Sequence, residues 1–242
     1  METGGLKMTR RWFVPSLAAP LFAQSGRDVF LLTGQSNMAG RGVIEEQDKV
    51  PLPGISVFTK EKIWAPAIDP LHFDKPTIVG VGLGRSFAAT VQKQDGLKEI
   101  GLVPAAFGGS SLQEWSPGSA HFTNAVERTK AAGGRLRGIL WHQGETDSRA
   151  GLDSTYAERW LFVMKALRKE VGDVPIVVGE LGQFQPNYRA VNEQLASLVV
   201  KLPRVAFVSS ERLNAKADGI HFDSSALREF GRRFAHAWLM LR

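Results

Sequence analysis

Ser36 stands in Gly34-Gln35-Ser36-Asn37-Met38-Ala39-Gly40, directly after the apolar run Val29 to Leu32. A serine just past the carboxyl end of a buried strand lies where open α/β sheets bind ligands, and its hydroxyl becomes a nucleophile if a base reaches it. By itself the segment suits a helix cap or polar turn equally well. The candidate base is His221, in Ala217-Asp218-Gly219-Ile220-His221-Phe222-Asp223. A neutral imidazole takes a serine proton only when its other ring nitrogen is held in the right tautomer, a task usually given to a carboxylate. Asp218, three residues earlier, can fold back to that nitrogen, with Gly219 permitting the tight turn. The same residues also read as an Asp-Gly turn before a helix capped by Asp223 or Ser224.

Two further segments carry polar groups at strand ends. Trp141-His142-Gln143-Gly144-Glu145-Thr146-Asp147 follows the apolar strand Arg137 to Leu140. Gln143 can donate its amide N–H to a developing oxyanion, while Glu145 and Asp147 can orient neighbours or cap a turn. Asp147 beside Ser148 is also ordinary turn chemistry. Phe107-Gly108-Gly109-Ser110-Ser111 places paired glycines where backbone N–H groups approach a ligand with no Cβ in the way, or simply makes a left-handed turn. Each segment is ambiguous alone. Together they supply nucleophile, base, orienter and oxyanion donors at the carboxyl ends of successive strands. Glu145 rivals Asp218 as the acidic partner, but the three-residue link to His221 fixes the Asp218 separation locally.

The elements that must position these groups alternate. Val29 to Thr33, Ile55 to Thr59, Ile100 to Phe107, Gly138 to Trp141, Ile176 to Glu180 and Val205 to Val208 read as strands. Arg85 to Gln94, Phe122 to Ala132, Thr155 to Val171, Tyr188 to Leu202 and Ser225 to Leu241 carry apolar residues at three-to-four spacing and read as helices. This is the pattern of parallel strands joined by crossover helices, an α/β fold. Arg41 to Gly82 lacks periodicity and is expected to be a long loop with a small ribbon on one side of the sheet.

The 242 residues fit one well-buried domain, expected over residues 24–242. Residues 1–23 carry Lys7, Arg10 and Arg11 against Glu2, then the apolar run Trp12 to Ala23, too short to span a bilayer. They read as an export signal with a twin-arginine-like Arg10-Arg11, which implies a periplasmic or extracellular protein, or as a loosely packed arm. The absence of Cys excludes a disulfide framework, a thiol nucleophile and Cys-ligated metals. His72, His121, His142, His221 and His236 form no metal-ligand spacing, so neither metal nor cofactor is expected. The net charge of +6 raises nucleic acid as a partner, yet the densest basic run, Arg232-Arg233, lies in an amphipathic helix and reads as a solvated face. Gly80-Val81-Gly82-Leu83-Gly84-Arg85-Ser86 fits neither nucleotide-binding glycine pattern.

The four segments resemble those of the SGNH hydrolase superfamily, in its sialate O-acetylesterase-like and acetylxylan-esterase branch, carbohydrate esterase family six. The resemblance covers most of the chain from about Asp28 onward. It implies a flavodoxin-like three-layer α/β/α fold with a parallel sheet of about five strands, and a cofactor-free serine esterase removing O-acetyl groups from carbohydrate. Ser36, His221 and Asp218 take the triad positions. Ser36, Gly109 and Gln143 take the oxyanion hole, Gln143 standing where the superfamily has Asn, and Gln35, Asn37, Gly108 and Glu145 are supporting or substrate-binding. The oligomeric state is open. Two rivals remain: an esterase or thioesterase for non-sugar acyl esters, which would want a more apolar mouth, and a non-catalytic sugar-binding protein using Trp64, Trp115 and Trp141 as stacking surfaces.

Overall fold

The computed structural model describes Met1 and residues 26–149 and 151–242. Apart from Met1, the expected export segment lies outside these residues. β1 (Asp28–Gly34) is buried along its whole length. Its side chains divide by the two-residue period of a strand: Val29 and Leu31 enter the core on one face of the sheet, Phe30 and Leu32 the core on the other. A strand covered on both faces needs no polar alternation, which is why it reads as one apolar run. α1 (Ser36–Ala39) is a single turn, followed by β2 (Ile55–Phe58), β3 (Trp64–Pro66), α2 (Gly84–Asp95), β4 (Ile100–Pro104), α3 (Ala120–Ala132) and β5 (Arg135–His142). Then come α4 (Glu145–Arg149), α5 (Tyr156–Val171), β6 (Ile176–Gly179), α6 (Arg189–Ala196), α7 (Leu198–Lys201), β7 (Val205–Val208) and α8 (Ser224–Leu239).

Among the described residues one sheet of seven strands forms, in the order β3-β2-β4-β1-β5-β6-β7. All neighbours are parallel except β2 and β3. Phe87 and Val91 of α2 pack with Leu227, Phe230 and Phe234 of α8 on one face. Phe122 of α3, Trp160 and Met164 of α5 and Leu195 of α6 pack on the other. This is the expected three-layer α/β/α architecture with more strands than the five expected. The excess comes from the segment between residues 41 and 82: β2 joins the sheet beside β4, and β3 adds an antiparallel edge, where Pro66 is tolerated because its missing N–H faces no partner. The helix expected over 188–202 is broken. Ser197 bonds its hydroxyl to Gln194 O (2.6 Å), the local competition with the helical ladder that serine offers, and α6 gives way to α7 there.

The long loop is anchored by a buried cluster of ions. Asp48 accepts from Arg228 Nη2 (2.6 Å) and Nε (3.1 Å), and Arg85 donates to Asp48 O (2.6 Å) and lies 3.7 Å from the Asp69 carboxylate. Burial works against the Asp48 charge, but Arg228 holds its carboxyl below the usual value. Asp69 is different. Burial pushes its carboxyl up to about 7 despite Arg85. Glu45 and Asp48 face Arg228, and Asp48 also lies 3.9 Å from Arg85, so Asp69 shares the Arg85 guanidinium with a second carboxylate.

Candidate active site

The carboxyl end of β1 sets the position of Ser36. Gly34 has φ 126°, and a Cβ there would run into the backbone of His142 on the neighbouring strand, so the chain turns sharply where only glycine fits. The Gln35 N–H donates to His142 O (2.8 Å), and Ser36 begins the one-turn α1. As the first residue of that turn, Ser36 has a backbone N–H with no intrahelical acceptor. Among the described residues it has no acceptor at all.

His221 comes from the loop between β7 and α8. An isolated bridge pairs Ala215 with Phe222, the Lys216 N–H donates to His221 O (2.7 Å), and Asp223 caps α8 through the Ala226 N–H (2.7 Å). Between those ties Gly219, at φ 64°, turns the chain so that Asp218 faces the imidazole. Asp218 Oδ2 lies 2.9 Å from His221 Nδ1, and Oδ1 accepts from the N–H groups of Ile220 and His221, both at 2.9 Å. Burial works against the Asp218 charge, but the His221 N–H, the imidazole and the Ile220 N–H prevail and hold the carboxyl down at about 2. His221 Nε2 lies 3.0 Å from Ser36 Oγ. Residues 185 positions apart thus form an unbroken Asp218–His221–Ser36 relay. The cap and the relay coexist in one loop, so the two readings of the Asp218–Asp223 segment do not compete.

The relay opens into a cavity of about 200 Å³ lined by Ser36, His221, Gly109, Arg41, Lys75 and Arg149, among others. The Gly109 N–H has no acceptor among the described residues, whereas the Gly108 N–H donates to Asp74 Oδ2 (2.8 Å). Asp74 also receives Arg41 Nη2 (2.6 Å), so Gly108 ties the glycine turn to the long loop.

Gln143 departs from expectation. Its side chain is fully buried, and its Nε2 spends both hydrogens, on Ser110 O (3.1 Å) and on Asp147 Oδ2 (2.5 Å). Its Oε1 faces the Tyr156 hydroxyl (2.9 Å). An amide so engaged has no N–H left for an oxyanion, and Gln143 instead holds the glycine turn from below. Gln143→Ala is expected to lower the unfolding free energy by about 1–3 kcal/mol, the cost of buried groups losing partners, and to leave kcat within about tenfold of wild type. A fall in kcat of roughly 100-fold or more with unchanged stability, the signature of a lost oxyanion donor, would restore the oxyanion role. Gln35 is the amide left open to the cavity. Its Oε1 receives long contacts (3.5 Å) from the N–H groups of Gly144 and Thr146, and its Nε2 has no partner among the described residues.

Glu145 does not touch His221. It accepts from Asn37 Nδ2 (2.7 Å) and lies 3.6 Å from His142 Nδ1. Asn37 in turn accepts from the Phe222 N–H (3.1 Å). Trp115 and Trp141 are fully buried in the core, and Trp64 packs under the Arg27 guanidinium (4.5 Å), so none offers a free face to sugar at this site. Arg41, Asp74 and Lys75 were missed in the sequence, where the aperiodic loop gave no signal that it returns to the site.

An Asp–His–Ser relay at the carboxyl edge of a doubly wound sheet, with backbone N–H groups beside it, is the arrangement expected of an SGNH-type hydrolase. A family model described as carbohydrate esterase, sialic acid-specific acetylesterase, matches residues 26–240, and the chain belongs to that family. It is a carboxylic ester hydrolase of the carbohydrate esterase class. A probable carbohydrate esterase of Arabidopsis thaliana is 31% identical over 249 residues, covering 93% of this chain and 94% of that protein. The crystal structure of an Arabidopsis thaliana protein shares 30% identity at a TM-score of 0.82, covering 89% of this chain and 98% of that one. NanS, at 18% identity, shares the fold, with a TM-score of 0.70 over 88% of this chain and 97% of its own. Among the described residues no helix is long and apolar enough to cross a membrane.

Proposed function

We propose that the chain removes O-acetyl groups from carbohydrate by two-step acyl transfer. His221 Nε2 takes the proton of Ser36 Oγ as Oγ attacks the acetyl carbonyl carbon. The N–H groups of Ser36 and Gly109, joined by Gln35 Nε2, receive the developing oxyanion. The sugar oxygen leaves with the proton from His221, and an acetyl group stays on Ser36. Water, deprotonated by His221, then releases acetate and restores the serine. The observation that carries this reading is the continuous relay, 2.9 Å from Asp218 to His221 and 3.0 Å from His221 to Ser36, opening beside two backbone N–H groups that have no acceptor among the described residues.

The cavity wall supports a narrower substrate. Arg41, Lys75 and Arg149 line it, and among the described residues no carboxylate side chain does. Arg41 is already paired with Asp74, which leaves Lys75 and Arg149 as exposed cations beside the nucleophile. An acetylated sugar bearing its own carboxylate, of the sialic acid kind, suits this mouth better than neutral xylan. Acetate release is to be compared across O-acetyl sialate, acetylated xylan, neutral acetylated monosaccharides and short aryl esters. The carboxylated sugar is expected to show the highest kcat/KM, and Lys75→Ala with Arg149→Ala to raise its KM about tenfold or more while leaving neutral acetyl esters within about twofold. Faster turnover of butyryl or longer esters would overturn the carbohydrate reading. Sugar binding without acetate release would make the chain a binding protein. Export rests on the basic start and apolar run before Gln24, and a mature secreted chain beginning near residue 24 is the expected result of amino-terminal sequencing.

A further inference from the structure

His142 and Glu145 are buried beneath the loop that carries His221, and each has a polar atom with no hydrogen-bond partner among the described residues, Nδ1 on the imidazole and Oε2 on the carboxylate. His142 Nε2 lies 3.1 Å from Glu180 O, and a carbonyl oxygen only accepts, so Nε2 carries a hydrogen. Nδ1 then faces Glu145 Oε1, 3.6 Å away.

The other contact of Glu145 leads toward the triad. Its Oε1 accepts from Asn37 Nδ2 at 2.7 Å. The carboxylate oxygen thereby fixes which way the Asn37 amide faces, since a flipped amide would set oxygen against oxygen. In the observed orientation Asn37 Oδ1 accepts from the Phe222 N–H (3.1 Å), and Nδ2 also reaches Ile220 O (3.4 Å). These two groups flank His221 on either side. A flipped amide would also turn its NH₂ against the Phe222 N–H and release the loop. The His142 ring packs edge-on against Phe222 (5.8 Å between centroids), closing the same path through side chains.

We propose that Glu145 is a positioning residue of this site: through the amide of Asn37 it holds the peptide groups on both sides of His221, and so keeps the imidazole in line with Ser36. The proposal rests on the esterase reading above. It differs from a role as acidic partner of His221, because Glu145 acts on the loop backbone and Asp218 acts on the ring.

The test measures kcat and KM for an aryl acetate, with thermal unfolding, in Glu145→Ala, Glu145→Gln, Asn37→Ala, Asn37→Asp and the double alanine variant. Glu145→Ala and Asn37→Ala should each lower kcat about 10- to 100-fold, the cost of a small misplacement of a catalytic group, with KM within about twofold. The double variant should be no slower than the worse single one, because both remove the same connection. Glu145→Gln should recover most of the loss, since an amide oxygen in the place of Oε1 still accepts from Asn37. Asn37→Asp, which keeps the size and loses the donor, should resemble Asn37→Ala, and it carries the test if Glu145→Ala fails to fold. The rate of Ser36 modification by a fluorophosphonate should fall in parallel with kcat. Wild-type kcat in Glu145→Ala, losses that multiply in the double variant, or a loss of about 1,000-fold or more in a folded Glu145→Gln would each overturn the proposal. Ser36→Ala in the same assay separates the two readings. An active Ser36→Ala sinks the esterase site itself, whereas a dead Ser36→Ala beside an unimpaired Glu145→Ala sinks only the positioning role.

Discussion

Ser36→Ala is expected to reduce kcat for an acetyl ester by about 10⁶-fold, the scale reached when the nucleophile of a serine hydrolase is removed. The fold should hardly notice. The only side-chain hydrogen bond of Ser36 among the described residues is the 3.0 Å contact to His221, and the turn that carries it is held by Gly34 and the Gln35 N–H. Calorimetry should therefore place the Tm of the variant within a degree or two of wild type, while hydrolysis of an aryl acetate falls to background. Residual activity of more than a few per cent would mean that another group attacks the ester.

The second large effect belongs to Asp218→Asn, expected to lower kcat by about 10⁴-fold. The substituted amide can turn its NH₂ toward His221 Nδ1, which forces the hydrogen onto Nε2, where it faces Ser36 and can no longer receive the serine proton. Glu145→Gln leaves the tautomer of His221 untouched, so a comparison of the two variants identifies the acid that works on the ring. A pH dependence of stability follows as well. With its carboxyl held at about 2, Asp218 is ionised in the folded protein throughout the range where enzymes are usually assayed. A folded value below the usual 3.8 means that the carboxylate stabilises the fold above about pH 4, and that this contribution fades as pH falls through about 2. The stability difference between wild type and Asp218→Asn should accordingly shrink between about pH 4 and pH 2. A difference that stays constant over that interval would mean that the carboxylate is not held by the His221 and Ile220 N–H groups.

The parts of this site that were legible in the sequence are those whose geometry is local. Asp218, Gly219 and His221 lie within four residues, so turn chemistry alone brings carboxylate to imidazole. Ser36 follows a strand whose uninterrupted apolar character marks it as central, and the same logic locates Gly109 after β4. Choices among partners were not legible. Gln143 has an amide that suits an oxyanion, but Asp147, four residues on in α4, claims it first. Asn37 and Glu145 are separated by 108 residues and Arg41 and Asp74 by 33, and no periodicity records such pairings. Periodicity reports which face is buried, and for that reason it located the layers and six of the seven strands found among the described residues. The edge strand β3 spans only three residues, too few for a period to show.

The ion cluster that anchors the long loop divides responsibility along the chain. Asp218, His221 and Ser36 are delivered by the sheet edge and the loop before α8, while Arg41 and Lys75 arrive on a segment fastened separately, through Asp48 and Asp69 to Arg85 and Arg228. On the function proposed above, bond cleavage and the part of substrate preference that rests on Lys75 belong to different stretches of the polypeptide, while Arg149 comes from α4. Residues 41–82 can diverge in charge and shape while the anchoring ions stay fixed, and the chemistry would not need to be reinvented. In a lineage of such esterases, a change of diet would be expected to appear first in this loop and its cations, and last at the serine.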